Sequence, residues 1–159
     1  MNLFSLLLIS GGLFANSFLV INGYSYHHNV TKYDYCDNDC NSNNWGIGYE
    51  THNETGLIYS AGTFMDSWNK FSWYVGMGGT YNTTKFIKLG FSLGIMNKNY
   101  SPYKQITTPY ILPLAVIHIT DYIIINTIII PTSNIFGDWS ANHEWPTTLF
   151  FQYKVRITE

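Results

Sequence analysis

Charge is what this sequence has least of. Asp, Glu, Lys and Arg make up 11% of its 159 residues, against roughly 25% in an ordinary globular protein. The formal net charge is -2. No basic patch is available to hold nucleic acid, and no block of like charge marks a disordered tail. Helix signals are scarce, which excludes a coiled coil. Only two cysteines, Cys36 and Cys40, are present. They carry no neighbouring His at ligand spacing, so they do not form a zinc site. Asp37 and Asp39 between them suggest a calcium loop, but the EF-hand glycine and terminal Glu are missing. The pair admits a small-loop disulfide or two free thiols, because so short a loop is geometrically demanding.

No run is long and apolar enough to cross a bilayer as a helix, which takes about 20 residues. Ile106–Pro131 comes nearest, but Pro109, Pro113, His118, Asp121 and Asn126 cut it into strand-length pieces. Leu3–Ile9, followed by small residues near Ala15, reads as an export signal occupying residues 1–17, with a weak n-region. One domain, 18–159, remains.

What is abundant is aromatic and β-branched. Aromatics reach 18%, hydrophobic residues 46%, yet the mean hydropathy is only -0.03. Large residues alternate with small ones, the period of a strand with two different faces. The pattern predicts strands at Phe18–His28, Trp45–Thr51, Leu57–Met65, Phe71–Asn82, Phe86–Met96, Pro109–His118, Tyr122–Ile130 and Thr147–Ile157. The connections after the second, fourth and sixth are short. Those after the first, third, fifth and seventh are polar and mostly longer, including a long loop over Asn97–Thr108. Eight strands with this alternation of loops predict an all-β, antiparallel up-and-down transmembrane β-barrel. A soluble eight-stranded barrel would ordinarily carry more surface charge, and its Ile-rich outer face would invite aggregation. The few charges are expected in loops, turns and strand ends. Three Asn-x-Thr sequons, at Asn29, Asn53 and Asn82, carry little weight in a chain so rich in Asn and Thr.

With charge so scarce, each ionisable residue is informative. His27 and His28 close the first strand, and Asp66 and Ser67 open the loop after the third. In an up-and-down barrel these belong to one rim. A histidine base, a carboxylate and a hydroxyl are the components of acyl-transfer chemistry. By itself this is a weak signal, since His-His and Asp-Ser are common at strand ends and turns.

The string Phe64-Met65-Asp66-Ser67-Trp68-Asn69-Lys70 resembles the Phe-Lys-Asp-Ser-Trp-Asn-Lys signature of the PagP family of lipid A palmitoyltransferases. Val75-Gly76-Met77-Gly78 follows in register with that family's Ala-Gly-Tyr-Gly. Asn41, Trp45, Gly46 and Gly48 fit its upstream motif, and counting back from Trp45 sets His27 on its catalytic histidine. Ile111-Leu112-Pro113-Leu114-Ala115 and Ile130-Pro131 resemble two later motifs.

The resemblance implies an outer-membrane acyltransferase of a Gram-negative bacterium. It would move palmitate from the sn-1 position of a glycerophospholipid to a hydroxyacyl chain of lipid A. His27 would be the base, Asp66 its electrostatic partner and Ser67 a required hydroxyl. Gly78 would floor the pocket that measures the acyl chain, and Pro113 and Pro131 would leave a lateral opening between strands six and seven. No metal or organic cofactor is implied, membrane lipids are the partners, and a monomer suffices. Several features depart from the family. No amphipathic helix precedes the first strand, and Asn44 replaces a proline whose loss is expected to close a second lateral opening. The cysteine pair is foreign to the pattern. The chain ends in Glu159 rather than the terminal Phe of the pattern, for which divergence, a phage or other mobile origin, or a different assembly route is expected. Two further readings are a non-catalytic small barrel, structural or lipid-binding, and a lipid A deacylase. The Asp-Ser-Trp-Asn-Lys string argues against the deacylase.

Overall fold

A computed structural model describes residues 16–28, 41–53, 55–101, 104–131 and 147–158. Eight strands close into a barrel with every neighbour antiparallel and consecutive in sequence. They are β1 (Asn16–His28), β2 (Asn43–His52), β3 (Leu57–Met65), β4 (Phe71–Asn82), β5 (Ile87–Ser101), β6 (Lys104–His118), β7 (Ile123–Pro131) and β8 (Thr147–Thr158). β1 pairs with β8 to complete the circle. β3 and β4 have the bounds expected from alternation. β1 begins earlier, with Asn16 opposite His52 and Ser17 opposite Thr51.

The expected long loop over Asn97–Thr108 is a correction. β5 and β6 continue through it as a tall hairpin, with Asn97 opposite Thr107, Lys98 opposite Ile106 and Asn99 opposite Gln105. Asn97 Nδ2 donates to Thr107 Oγ1 at 2.9 Å. Above the apolar zone both faces of a hairpin can be polar, so the ladder persists without the hydrophobic alternation that reveals a strand in sequence.

The pleat divides the residues sharply. Trp73, Val75 and Met77 of β4 and Leu89, Phe91, Leu93 and Ile95 of β5 are all exposed, as are Ile21, Ile47, Ile111 and Val155. Exposed aromatics border this belt: Tyr24, Tyr26, Trp45 and Phe71 toward the rim of the long connections, Tyr81, Phe86 and Tyr122 at the other. Phe71 and Tyr81 are the outward ends of one strand. At 3.3 Å per residue and a tilt near 40° they stand roughly 25 Å apart along the axis, about the height of the apolar band of a transmembrane barrel.

The opposite face fills the lumen. Phe18, Ile58, Leu114, Val116 and Ile124 form an apolar cluster near the rim of the short turns. Beside it lies a polar belt. Lys154, fully buried, donates from Nζ to Glu50 Oε1, to which His52 Nε2 also bonds at 2.6 Å. Asn126 Nδ2 donates to Glu50 Oε2, and Gln152 Nε2 to Asn22 Oδ1 at 2.7 Å and to Tyr74 Oη at 3.1 Å. The charges expected near strand ends are therefore partly inside the barrel. Removing one partner of a buried pair leaves an uncompensated charge. Glu50→Gln is expected to lower unfolding stability by about 3 kcal/mol, read from the denaturant midpoint in detergent, and Glu50→Leu/Lys154→Met to recover most of it.

Two tyrosines lie along the wall where cross-strand glycines leave room. Gly48 faces Gly62, and a Cβ on Gly62 would meet Tyr74 Oη at 2.6 Å. Gly76 faces Gly94, and a Cβ on either would run into the Tyr110 ring or hydroxyl. Glycine is needed at these positions because an aromatic side chain packs directly on backbone.

Two seams are only half zipped. The β6–β7 ladder runs from His118↔Ile124 to Leu114↔Ile128 and stops beside Pro113. The β2–β3 ladder runs from His52↔Ile58 to Gly48↔Gly62 and stops there. Both are unpaired toward the long-connection rim. The second contradicts the expectation that losing the proline at Asn44 closes that seam. Asn44 Nδ2 instead donates to the Met65 carbonyl at 2.8 Å, and Asn22 Nδ2 to the Thr63 carbonyl at 2.7 Å. Side-chain amides satisfy carbonyls that the ladder does not reach.

Candidate active site at the long-connection rim

The turn between β3 and β4 is organised by one side chain. Asp66 is buried, at 4% exposure. Its Oδ1 accepts from the amides of Trp68 (2.9 Å) and Lys70 (3.0 Å). Its Oδ2 accepts from Ser72 Oγ (2.9 Å), the Asn99 amide (2.9 Å) and Asn99 Nδ2 (2.8 Å). Lys98 lies within electrostatic reach. Asn69 completes the turn at φ 56°, a left-handed conformation that Asn tolerates better than most residues. The Asp-Ser-Trp-Asn-Lys string is thus a self-bonded turn as well as a chemical signature.

Ser67, half-buried, follows directly, and its carbonyl accepts from the Asn41 amide at 2.9 Å. Asn41 Nδ2 also donates to the Asp66 carbonyl at 3.1 Å. The next residue, Ser42, accepts from the Ser25 amide of β1 at 2.8 Å. Asn41 and Ser42 therefore tie the Asp66–Ser67 turn to the outer end of β1. His27 lies two residues beyond buried Ser25, in register with Thr148 of β8. The backbone brings His27, Asp66 and Ser67 to one rim. Below it the lumen is lined by Phe64, Phe150 and Tyr74, with ring centroids 5.5 Å (Phe64–Phe150) and 6.3 Å (Phe64–Tyr74) apart.

Gly78 is buried on the inner face of β4, and a Cβ there would meet the Phe91 carbonyl oxygen at 2.5 Å. The glycine thus serves close approach of β4 to β5 as well as leaving space. Tyr110 shares a rung with Gly94 and Gly76, one pleat nearer the long-connection rim. Pro113 sits where the β6–β7 ladder ends, and Pro131 closes β7 opposite Thr147. Cys36 and Cys40 lie outside the described residues, as do residues 1–15 of the expected export signal. Ser72 and Asn99 escape a reading of sequence, because a single Asn or Ser in an Asn-rich chain carries no signal; Asn41 and Asn44 stand out only against the family's upstream motif.

Residues 15–140 match the family described as antimicrobial peptide resistance and lipid A acylation protein PagP. The chain belongs to the PagP family. Lipid A acylation is accordingly its general function, and its enzyme class is acyltransferase. None of the curated proteins compared matches it. Among solved structures, a chain from the de novo design of transmembrane β-barrels resembles this PagP-family barrel with a TM-score of 0.56 at 9% identity. The likeness covers 90% of this chain and 96% of the other. It concerns the fold alone.

Proposed function

We propose that this PagP-family barrel works in the outer membrane of a Gram-negative cell, with residues before Asn16 acting as its export signal. It moves a palmitoyl-type chain from a glycerophospholipid to a hydroxyl of lipid A. The observation that carries the reading is the joining of the His27 strand end to the Asp66–Ser67 turn, above a lumen of aromatic rings. His27 takes the proton of the acceptor hydroxyl. The hydroxyl oxygen forms the new ester as the donor's ester bond breaks, and the lysophospholipid leaves with a proton. Ser67 supplies a hydroxyl at the reacting centre. Asp66 positions Ser67, and its charge favours the imidazolium that forms. The half-zipped seam at Pro113 and Pro131 is the side entrance for the donor, since proline gives the ladder no donor.

The acyl chain occupies the upper lumen. Gly78→Met is expected to shorten the chain transferred, measured by product mass with donors of graded length. Unchanged selectivity in folded Gly78→Met would contradict an acyl pocket floored at that position. The activity itself is tested with purified barrel in detergent, phospholipid carrying a labelled sn-1 chain, and lipid A. Label appearing in lipid A supports acyl transfer. Label released as free fatty acid would point to a hydrolase. Saturation of the Asp66 carboxylate by five donors favours one competing reading, a structural barrel that keeps the turn without the chemistry. Folded barrel that transfers no label would support it.

A further inference from the structure

Among the described residues, the short-turn end of the lumen gathers more cations than carboxylates. Lys88, Lys154 and Arg156 face inward there, out of only eight Lys and Arg in the chain. Their register fixes this: Lys88 is opposite buried Val116, Lys154 opposite buried Val20 and Ile124, and Arg156 opposite buried Phe18. His52, opposite buried Ile58, and His118, opposite buried Ile124, complete the ring. Lys154 Nζ and Arg156 Cζ stand 5.2 Å and 5.7 Å from the Phe18 ring centroid, and the His52 ring 4.8 Å from it. Lys88, Lys154, His52 and Arg156 are all within electrostatic reach of His118.

Among the described residues the buried carboxylates are Glu50 and Asp66, and Asp66 is at the other rim. Glu50 is already engaged by Lys154 and His52. Asp121, in the adjacent turn, is exposed. Arg156 Nε and His118 Nε2 are shut off from solvent without a hydrogen-bond partner among the described residues. Setting Glu50 against Lys154 leaves Lys88 and Arg156 without a buried counter-charge among the described residues. A charge held partly away from water favours a counter-charge and hydrogen bonds to it.

We infer that this mouth of the barrel binds a phosphate-type oxyanion. The fork of Arg, a point-charge ammonium and imidazole N–H groups suit a tetrahedral anion. Half-buried Lys88, Arg156, His52 and His118 offer it an approach, with Lys154 beneath. The chemistry fits either free phosphate or the phosphomonoester headgroup of a lipid. The site is at the opposite end from the acyl-transfer rim and does not depend on that reading.

The test is NMR of the His52 and His118 imidazoles in barrel refolded in non-ionic detergent, at constant ionic strength. One titration adds inorganic phosphate. A second adds phosphatidic acid in mixed micelles, with phosphatidylcholine as the neutral control. Saturable shifts are expected in at least one titration, and which one identifies the source. Lys88→Gln and Arg156→Gln should each weaken binding roughly tenfold, the loss of one charge-assisted contact. Arg156 packs on the Phe18 ring of the apolar cluster, so the Lys88 variant guards against misfolding at Arg156. No shift in either titration, the same shift with chloride, or full affinity in both variants overturns the inference. Binding that appears only after Glu54→Gln or Glu159→Gln would also overturn it, since the chain's own carboxylates would then be the counter-ions.

Discussion

His27→Ala is expected to lower acyl transfer by about 10²–10⁴-fold while the barrel still assembles, the usual worth of a positioned general base. The reason is local. His27 stands in the last pair but one of the β1–β8 ladder, opposite Thr148. That end of β1 is remote from the apolar cluster around Phe18 and Ile58, which lies near the other rim. The barrel should therefore keep its heat-modifiable gel mobility and its β circular dichroism. His28→Ala, at the neighbouring position, is expected to retain most of the activity. Equal loss in both variants would mean that the strand end matters only as a scaffold. Unimpaired transfer by His27→Ala would remove the base from the mechanism.

Asp66→Ala is expected to damage stability and activity together. The carboxylate collects five hydrogen bonds, from Trp68, Lys70, Ser72 and twice from Asn99. Its loss strands donors on two strands and the turn, buried Ser72 among them. Each charge-assisted bond is worth about 1.5–3 kcal/mol on its own, but neighbours are not additive, so a net cost of about 4 kcal/mol is expected. Activity should fall at least 100-fold, as the turn holding Ser67 relaxes and a negative charge beside the imidazolium is lost. Asp66→Asn separates the two contributions. Its oxygen can replace one acceptor, but its amide must face donors, so part of the stability loss remains. Denaturant midpoints and initial rates measured on the same preparations decide the issue. A rate loss in Asp66→Asn far beyond its destabilisation shows that the charge acts in catalysis. A rate loss no larger than that of the turn variant Asn69→Gly shows a scaffold.

The parts that sequence makes legible are those where the bilayer imposes a pattern. Leu89, Phe91, Leu93 and Ile95 alternate with smaller or polar residues because one face meets hydrocarbon and the other a filled lumen, and β5 is read from that contrast. The contrast ends where the strand leaves the apolar belt. Asn97, Lys98 and Asn99 consequently read as loop, although they pair with Thr107, Ile106 and Gln105. The two seams differ in the same way. Pro113 announces the end of the β6–β7 ladder by its missing donor. At β2–β3 the ladder ends at Gly48↔Gly62 through close backbone approach and side-chain amides, which no single letter discloses.

At the site, the Asp66–Ser67 turn and its link to β1 follow from the topology of an up-and-down barrel. What holds Asp66 does not. Ser72 and Asn99 are separated from it by 6 and 33 residues, and the pairing of β4 with β3 and β5 brings them together. The lumen charges show the same limit. The parity of Phe150, Gln152 and Lys154 points inward, but the pairing of Lys154 with Glu50 spans 104 residues. Pairing at that distance is a property of barrel closure rather than of any local pattern.

The most direct test is the mass spectrum of lipid A from Gram-negative cells without an endogenous lipid A palmitoyltransferase, expressing either this chain or its His27→Ala variant. The account predicts a lipid A species heavier by one long acyl chain with the unaltered chain, and none with the variant at equal folded abundance. Unmodified lipid A from cells with abundant, folded unaltered barrel would contradict it.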